Sequence, residues 1–280
     1  MRFFLFVLFF LNILEAKLTI LDVFEYNSDT ISELSALAYN DNTLYALSDY
    51  GVLHHFDLKI INNKIKKINL IKSYKLKNKH SNILKKKKRD SEGLVYLKNN
   101  LYISFERVPR VEKYSLNGVK LDKIKLPKIL NNIDNYNSKN DALEALTYSK
   151  KYGFITAPES PFKDKNFHTI YTTKNKIFKF KTSGKITALE FIDKHSILVL
   201  ERKYNFFTRE LKITISKVLL NRCKSNICKS KKLKVLTSSN TTFLDNYEGL
   251  TKIKDNLFLM VSDDNNSYLQ KTYFVLFSIF

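Results

Sequence analysis

The sequence predicts an all-β chain folded as a β-propeller, and three observations carry that reading. A hairpin pattern occurs five times, beginning at Ser35, Glu92, Glu144, Thr187 and Glu248. These starts lie 43 to 61 residues apart, in the range of propeller blades and other repeat arrays. Beyond the N-terminal apolar stretch no segment sustains a helical period, whereas short runs of β-branched and aromatic residues recur throughout.

From the N-terminus, Arg2, an apolar core over residues 3–14 and Ala16 read as a secretory signal. Residues 1–16 are thus expected to be removed, leaving 17–280 as one domain that is exported, periplasmic or secreted. An uncleaved anchor is the other reading, although so short a core spans a membrane poorly. Residues 18–26 form a strand with no partner in the first copy. Each copy opens on a strand: Ser35-Ala36-Leu37-Ala38-Tyr39, Glu92-Gly93-Leu94-Val95-Tyr96, Glu144-Ala145-Leu146-Thr147-Tyr148, Thr187-Ala188-Leu189-Glu190-Phe191 and Glu248-Gly249-Leu250-Thr251-Lys252. Polar turns such as Lys98-Asn99-Asn100 and Lys254-Asp255-Asn256 follow, and each leads into a short apolar run. Two more strands fit in each copy, for example residues 111–115 and 119–124 around the hairpin turn Asn117-Gly118. Four strands in each of five copies make five blades; the long interval from Thr187 to Glu248 leaves room for a sixth. Pairing of 18–26 with the β-prone C-terminal run 273–280 would close the ring and hide two edges. Cys223 and Cys228 are expected to form a local disulfide in an exported chain, or to be free thiols in a cytoplasmic one.

The net charge is +21. One account is a lysine-rich composition spread over solvated faces. The other is attraction to polyanions, including peripheral contact with an anionic envelope surface. The densest run, Lys85-Lys86-Lys87-Lys88-Arg89, falls in a loop before the second copy. With no nucleic-acid-binding motif and an export signal, nucleic acid is not an expected partner. A monomer is expected.

Every apolar run ends in an acid: Asp49, Glu106, Glu159, Glu201 and Asp263, fourteen or fifteen residues after the start of its copy. Antiparallel pairing brings the start of one strand beside the end of the next. Glu92 and Glu106 therefore share a rim, as do Glu144 and Glu159, and Glu248 and Asp263. Inner strands of a propeller surround its channel, so these acids should meet at one mouth. Ser35 and Thr187 break the rule, but Glu33 stands two residues before Ser35, and Asp90 and Asn246 hold the same upstream places in their copies. Clustered carboxylates raise one another's pKa unless a cation compensates, and an excess of hard oxygen ligands suits Ca²⁺. The expected metal-holding set is Glu33, Asp49, Glu92, Glu144, Glu159, Glu248, Asp263 and Asp264. Glu106 and Glu201 are candidate catalytic bases. Arg107 and Arg202, which directly follow them, either bind a substrate phosphate bidentately or pair with neighbouring acids. The other reading of the whole set is that the acids cap strands and salt-bridge to the arginines, holding blades together. No Gly-x-Ser-x-Gly elbow, His-Glu-x-x-His or phosphate-cradling glycine loop is present.

These residues resemble the phytase-like family described by esterase-like activity, an exported bacterial β-propeller group. The matching segments are Glu33-Leu34-Ser35-Ala36-Leu37-Ala38-Tyr39 with Leu47-Ser48-Asp49, Asp90-Ser91-Glu92-Gly93-Leu94 with Ser104-Phe105-Glu106-Arg107, Glu144-Ala145-Leu146, Leu200-Glu201-Arg202, and Asn246-Tyr247-Glu248-Gly249-Leu250 with Val261-Ser262-Asp263-Asp264-Asn265. The resemblance implies hydrolysis of a small phosphorylated or ester substrate, calcium-dependent by similarity to β-propeller phytases, whose phosphate-binding motifs are absent here. Two other functions compete: a non-catalytic propeller binding a protein or envelope polyanion, and a lactonase-like esterase acting on neutral esters.

Overall fold

The run Leu257-Phe258-Leu259-Met260-Val261 shows why the strands are apolar without alternation. Leu257, Leu259 and Val261 enter one hydrophobic cluster with Leu34, Leu37, Phe56 and Ile68; Phe258 and Met260 enter another with Leu198, Leu200, Ile213 and Ile215. A sheet covered on both faces has no polar side to show. Runs at Leu101-Tyr102-Ile103 and Ile197-Leu198-Val199-Leu200 behave in the same way, dividing their side chains between two clusters.

The computed structural model describes residues 17–280, so the expected signal at 1–16 lies outside the described residues. After β1 (Leu18–Tyr26) come β2 (Leu34–Asn40), β3 (Thr43–Ser48), β4 (Val52–Ile61) and β5 (Lys64–Lys75), then β6 (Ser91–Leu97), β7 (Asn100–Phe105), β8 (Arg110–Tyr114) and β9 (Lys120–Ile124). Next are β10 (Leu143–Ser149), β11 (Gly153–Pro158), β12 (His168–Thr172) and β13 (Ile177–Phe180), followed by β14 (Lys185–Asp193), β15 (Ser196–Asn205), β16 (Glu210–Lys224) and β17 (Ile227–Thr237). The chain ends with β18 (Asn246–Lys254), β19 (Leu257–Asp263) and β20 (Thr272–Ile279). Among the described residues there is no α-helix, and none long and apolar enough to cross a membrane. Hairpin turns at Asp41-Asn42, Asn62-Asn63, Lys98-Asn99 and Ser225-Asn226 place both central residues at positive φ. Asn and Asp tolerate that conformation, which is how a chain with six glycines makes so many tight turns.

The strands form three four-stranded sheets, β2-β3-β4-β5, β6-β7-β8-β9 and β1-β20-β19-β18, and one eight-stranded sheet, β10-β11-β12-β13-β17-β16-β15-β14. The eight-stranded sheet divides in the middle, where β13 and β17 share a single parallel pair, Lys179 with Ile227. The long interval after Thr187 is filled by the extended β16 and β17, whose hairpin ends in the Cys223–Cys228 disulfide. The first strands of the units touch in cyclic order, β2 to β6, β10, β14, β18 and back to β2. A hydrophobic cluster fills each junction of this circuit. The result is an all-β, propeller-like fold. β1 pairs antiparallel with β20 from Leu18–Ile279 to Tyr26–Thr272. The N-terminal strand thus completes the last sheet, as its lack of an early partner predicts.

The axis differs from the expected channel. Leu37, Leu94, Leu146, Leu189 and Leu250, one from each inner strand, are buried around a central space of about 10 Å³. A space that size holds one water at most, so the leucines plug the ring. Gly93 and Gly249 lie beside them where backbones approach closely. A Cβ on Gly93 would sit 2.7 Å from Leu146 N, and one on Gly249 would sit 2.6 Å from Val261 Cγ1. Gly93→Ala is expected to cost about 1–3 kcal/mol by overpacking. Urea denaturation checks this, and an unchanged midpoint would contradict so tight an axis.

Candidate functional site

One backbone feature recurs in all units and aims their leading residues. In the first hairpin Leu34 pairs with Ser48 and Ala36 with Leu47, so Ser35 is skipped. Glu92, Glu144, Thr187 and Glu248 are skipped in the same way in theirs. Each is the extra residue of a β-bulge, a device that re-aims a side chain out of the alternating pattern. The acid-bearing bulges direct Glu92, Glu144 and Glu248 together above the leucine plug. The two hydroxyls stitch neighbouring sheets instead. Ser35 Oγ donates to Ser91 O at 2.7 Å, and Thr187 Oγ1 donates to Tyr247 O at 2.9 Å.

The trailing acids arrive at the same end. Oxygens of Asp49, Glu92 and Glu248 lie within 4.8 Å of one another, and so do those of Asp90, Glu92 and Glu106. Glu92 belongs to both groups. Burial, then Asp49, Glu144 and Glu248, holds its carboxyl far above the ordinary range. Asp49 is raised well above its usual value by burial and by Glu248, Asp263 and Asp90, and its Oδ1 is buried without a hydrogen-bond partner. Glu106 is pushed up to about 8 by burial and then by Asp90 and Glu159. Glu33, at positive φ, reaches about 7 through burial, Asp263 and Asp264, and its Oε2 is also buried and unpartnered. Nearby cations stand at the edge: Arg107 Nε pairs with Asp90 Oδ2 at 2.5 Å, and Arg89 stacks on Tyr50.

The other side of the mouth is compensated. Arg202 donates from Nη1 to Glu248 Oε1 at 2.7 Å and to Asn246 Oδ1, and from Nη2 to Glu159 Oε1 at 2.9 Å. Burial opposes its charge, but Glu248, Glu159 and Glu144 outweigh burial and keep it protonated. Lys185 Nζ bridges Asp141 Oδ1 at 2.8 Å and Glu159 Oε2 at 2.5 Å. Ion pairs between sheets thus gather around Arg202, and clustered carboxylates around Glu92.

Several expected residues take other places. Glu201 lies at the rim, but its carboxylate accepts from Ser183 N at 2.6 Å, Ser183 Oγ at 2.9 Å and Ser216 Oγ at 2.7 Å, apart from both carboxylate groups. Asp264 accepts from Glu33 N at 2.9 Å, Asn266 N at 3.0 Å and Thr272 Oγ1 at 2.8 Å, and so anchors the loop that carries Glu33. Glu144 is buried between the two halves and strongly raised by burial, Glu159 and Glu106; Asp263, at about 7, is held by Asn246 and the Asn265 N–H. Asp90 and Lys185 join the site without having been expected in it. Asp90 had a signal, since it stands two residues before Glu92 as Glu33 stands before Ser35. Beside the acids opens a cleft of about 630 Å³, lined by Lys185, Arg202, Lys203, Ser183, Asn246 and Tyr204 among others.

Raised carboxylates fix the sign of a pH effect. Their folded pKa lies above the unfolded value, so their contribution to stability is full below about 4.5 and is lost as pH rises through about 7 to 8. His54, held down at about 4 by burial, acts oppositely, but only as pH falls below its unfolded 6.5. Metal-free protein should therefore lose thermal stability as pH rises from 6.5 to 8. Glu92→Gln should be more stable than the parent at pH 8, with a shallower slope, each kcal/mol appearing as about 2–4 °C. A thermal-shift series in chelator measures both.

No curated protein matches this chain in sequence. Among solved structures, Myxococcus xanthus glutaminyl cyclase superposes with a TM-score of 0.51 at 10% identity, covering 95% of this chain and 98% of that one. That likeness is one of fold. A chain of a mitotic checkpoint complex aligns with a TM-score of 0.39 at 12% identity over 86% of this chain, which spans 61% of its length. The computationally designed Ika4 protein aligns with a TM-score of 0.33 at 13% identity, over 77% of this chain and 99% of that one. A family model, phytase-like with esterase-like activity of phytase, matches residues 29–266 and takes in every acid of the mouth; the chain belongs to that family.

Proposed function

We propose that this chain is an exported five-bladed propeller that hydrolyses phosphate esters with the help of calcium held at the acidic mouth. Five blades follow from counting the single Lys179–Ile227 pair as a contact between two blades. The observation that carries the function is the acid-rich side of the mouth: two carboxylate groups sharing Glu92, in which Glu248 is paired with Arg202 and Asp90 with Arg107 while the buried Asp49 Oδ1 lacks a partner. Such a donor set, all oxygen and in excess negative charge, fits a hard divalent cation. Asp49, Glu92 and Glu248 would hold it, with Asp90 and Glu106 flanking. When bound, calcium supplies charge neutralisation and Lewis acidity toward a phosphoryl oxygen.

The chain's own residues supply the rest. Glu106, with its raised pKa and its place beside Asp90 and Glu92, is the group we assign to proton transfer. Glu201, saturated by Ser183 and Ser216, positions the β13–β14 turn instead. Lys185, Arg202 and Lys203 line the neighbouring cleft and favour an anionic substrate, and the exposed Arg107 guanidinium faces the same rim. Stabilising charge that grows on a phosphate is what preorganised cations do.

The test is phosphate release by mature protein from a panel of phosphomonoesters, phytate included, with Ca²⁺ and with chelator. Release should require Ca²⁺ and fall about 10–100-fold or more in Glu92→Gln. Ca²⁺ should also raise the melting temperature of the parent, by about 2.7 kcal/mol of stability at a hundredfold excess over Kd, and leave Glu92→Gln nearly unmoved. Turnover of neutral esters alone would favour the lactonase-like reading. No turnover by folded protein would leave a polyanion-binding propeller.

A further inference from the structure

Among the described residues, the most exposed large apolar side chains stand at the acidic mouth. Phe206 and Phe207 are 81% and 96% exposed, and Tyr268 and Leu269 are 95% and 79% exposed. Elsewhere among the described residues, exposed large apolar side chains are less exposed, the next being Phe280 at 66% and Ile71, beside Leu70, at 60%. The four belong to two loops. Phe206 and Phe207 cap the β15–β16 hairpin; Tyr268 and Leu269 sit in the loop between β19 and β20. Both loops border one cleft, through Tyr204 and Leu211 on one side and Asn265 and Gln270 on the other.

The hairpin is built to project. β15 passes the rim at Glu201 and continues through Asn205, which carries the strand about 13 Å further at the usual rise. Tyr204 pairs with Leu211 and faces the cleft, and the tip carries the two phenylalanines. At its foot Lys203 is directly opposite Lys212. Like charges in that position destabilise a hairpin; an anion nearby turns the cost into a contact. Arg209 adds charge at the tip. The run Lys85-Lys86-Lys87-Lys88-Arg89 lies on the same end of the molecule, with Lys88 O accepting from Arg110 and Arg89 stacked on Tyr50 next to Asp49. One face therefore combines projecting aromatic tips, a cationic collar and the entrance to the site.

We infer that this face docks on an anionic lipid surface, the aromatic tips entering the headgroup region and the lysines resting on it. Aromatic residues favour that interface, and a few apolar insertions joined to basic residues give reversible binding. The cleft would then open against the lipid. The docking goes beyond the hydrolase reading and does not depend on it, because it uses neither the acids nor turnover.

The chain has no tryptophan, so Phe207→Trp places a single reporter at the tip. Its emission should shift to the blue and brighten with phosphatidylglycerol vesicles, and stay unchanged with phosphatidylcholine vesicles. Co-sedimentation with the anionic vesicles should fall about tenfold for each large apolar side chain lost in Phe206→Ser/Phe207→Ser and in Tyr268→Ser/Leu269→Ser. Lys203→Ser/Lys212→Ser should weaken binding and flatten its salt dependence, while Glu92→Gln should bind as the parent does, whether or not either turns over substrate. No blue shift from folded protein overturns the inference. So does binding that survives loss of the aromatics, which would be general adsorption of a basic protein. A dimer that Phe206→Ser/Phe207→Ser dissolves, or a protein partner that quenches the reporter in place of lipid, overturns it too.

Discussion

Glu92 stands with its back to an apolar plug and its carboxylate among others of its kind, and the site takes its character from that confinement. The leucines beneath admit at most one water, so the acids cannot be solvated from below. The bulge fixes where Glu92 points, because straightening it would shift the register of a strand packed on both faces. Charge at the mouth must therefore be matched from above or from the sides. Around Arg202 it is matched from the sides, by a guanidinium shared among Glu159, Glu248 and Asn246. Around Glu92 the cations stand at the edge, Arg107, Arg89 and Arg110 acting through Asp90.

The same interactions tie the site to the closure of the ring. Ser35 and Ser91 are bonded across one junction of sheets, Thr187 and Tyr247 across another, and Arg202 spans two more elements besides its own. One group of carboxylates, Asp90, Glu92 and Glu106, belongs to the β6–β7 hairpin alone, but Asp49, Glu92 and Glu248 come from three hairpins. The pairing of β1 with β20, far from the acids in sequence, therefore bears on their geometry. A ring that loosens between these sheets separates the oxygens of Asp49, Glu92 and Glu248.

Much of this was legible in residue order. Repeated hairpins, acids at a constant distance from each start and a spare N-terminal strand led to an all-β propeller with its acids at one mouth. The bulges were not legible, because an extra residue in a ladder leaves no mark on side-chain identity; it is seen only as the skipped partner of Ser35, Glu92, Glu144, Thr187 and Glu248. The leucine plug was hidden in the pattern itself, as its third position. Glu201 looks like its four counterparts in sequence. It differs because Ser183, eighteen residues earlier, folds back onto it, and a contact of that kind is decided by a turn. Asp264 likewise follows Asp263 as a second ligand on paper, yet spends both oxygens on the Glu33 and Thr272 anchors.

The repeat is nearly regular, but one unit departs from it in several ways at once. In β14–β17 the leading acid is Thr187, the trailing acid is saturated, the next residue is the arginine that pairs with both neighbours, and the outer hairpin is the long one with aromatic tips. A ring of equal units would carry acids of equal charge around its mouth and no reason for anything to bind off-axis. Ser35 also stands where a bulge acid could, so what sets β14–β17 apart is Arg202, placed beside Lys185, which neutralises acids in its own sector. Across the mouth an acidic side at Asp49, Asp90 and Glu92 faces a side where Lys185 and Arg202 are paired with Asp141, Glu159 and Glu248 and Lys203 lines the cleft. The asymmetry of charge around the mouth is thus concentrated in the single repeat β14–β17.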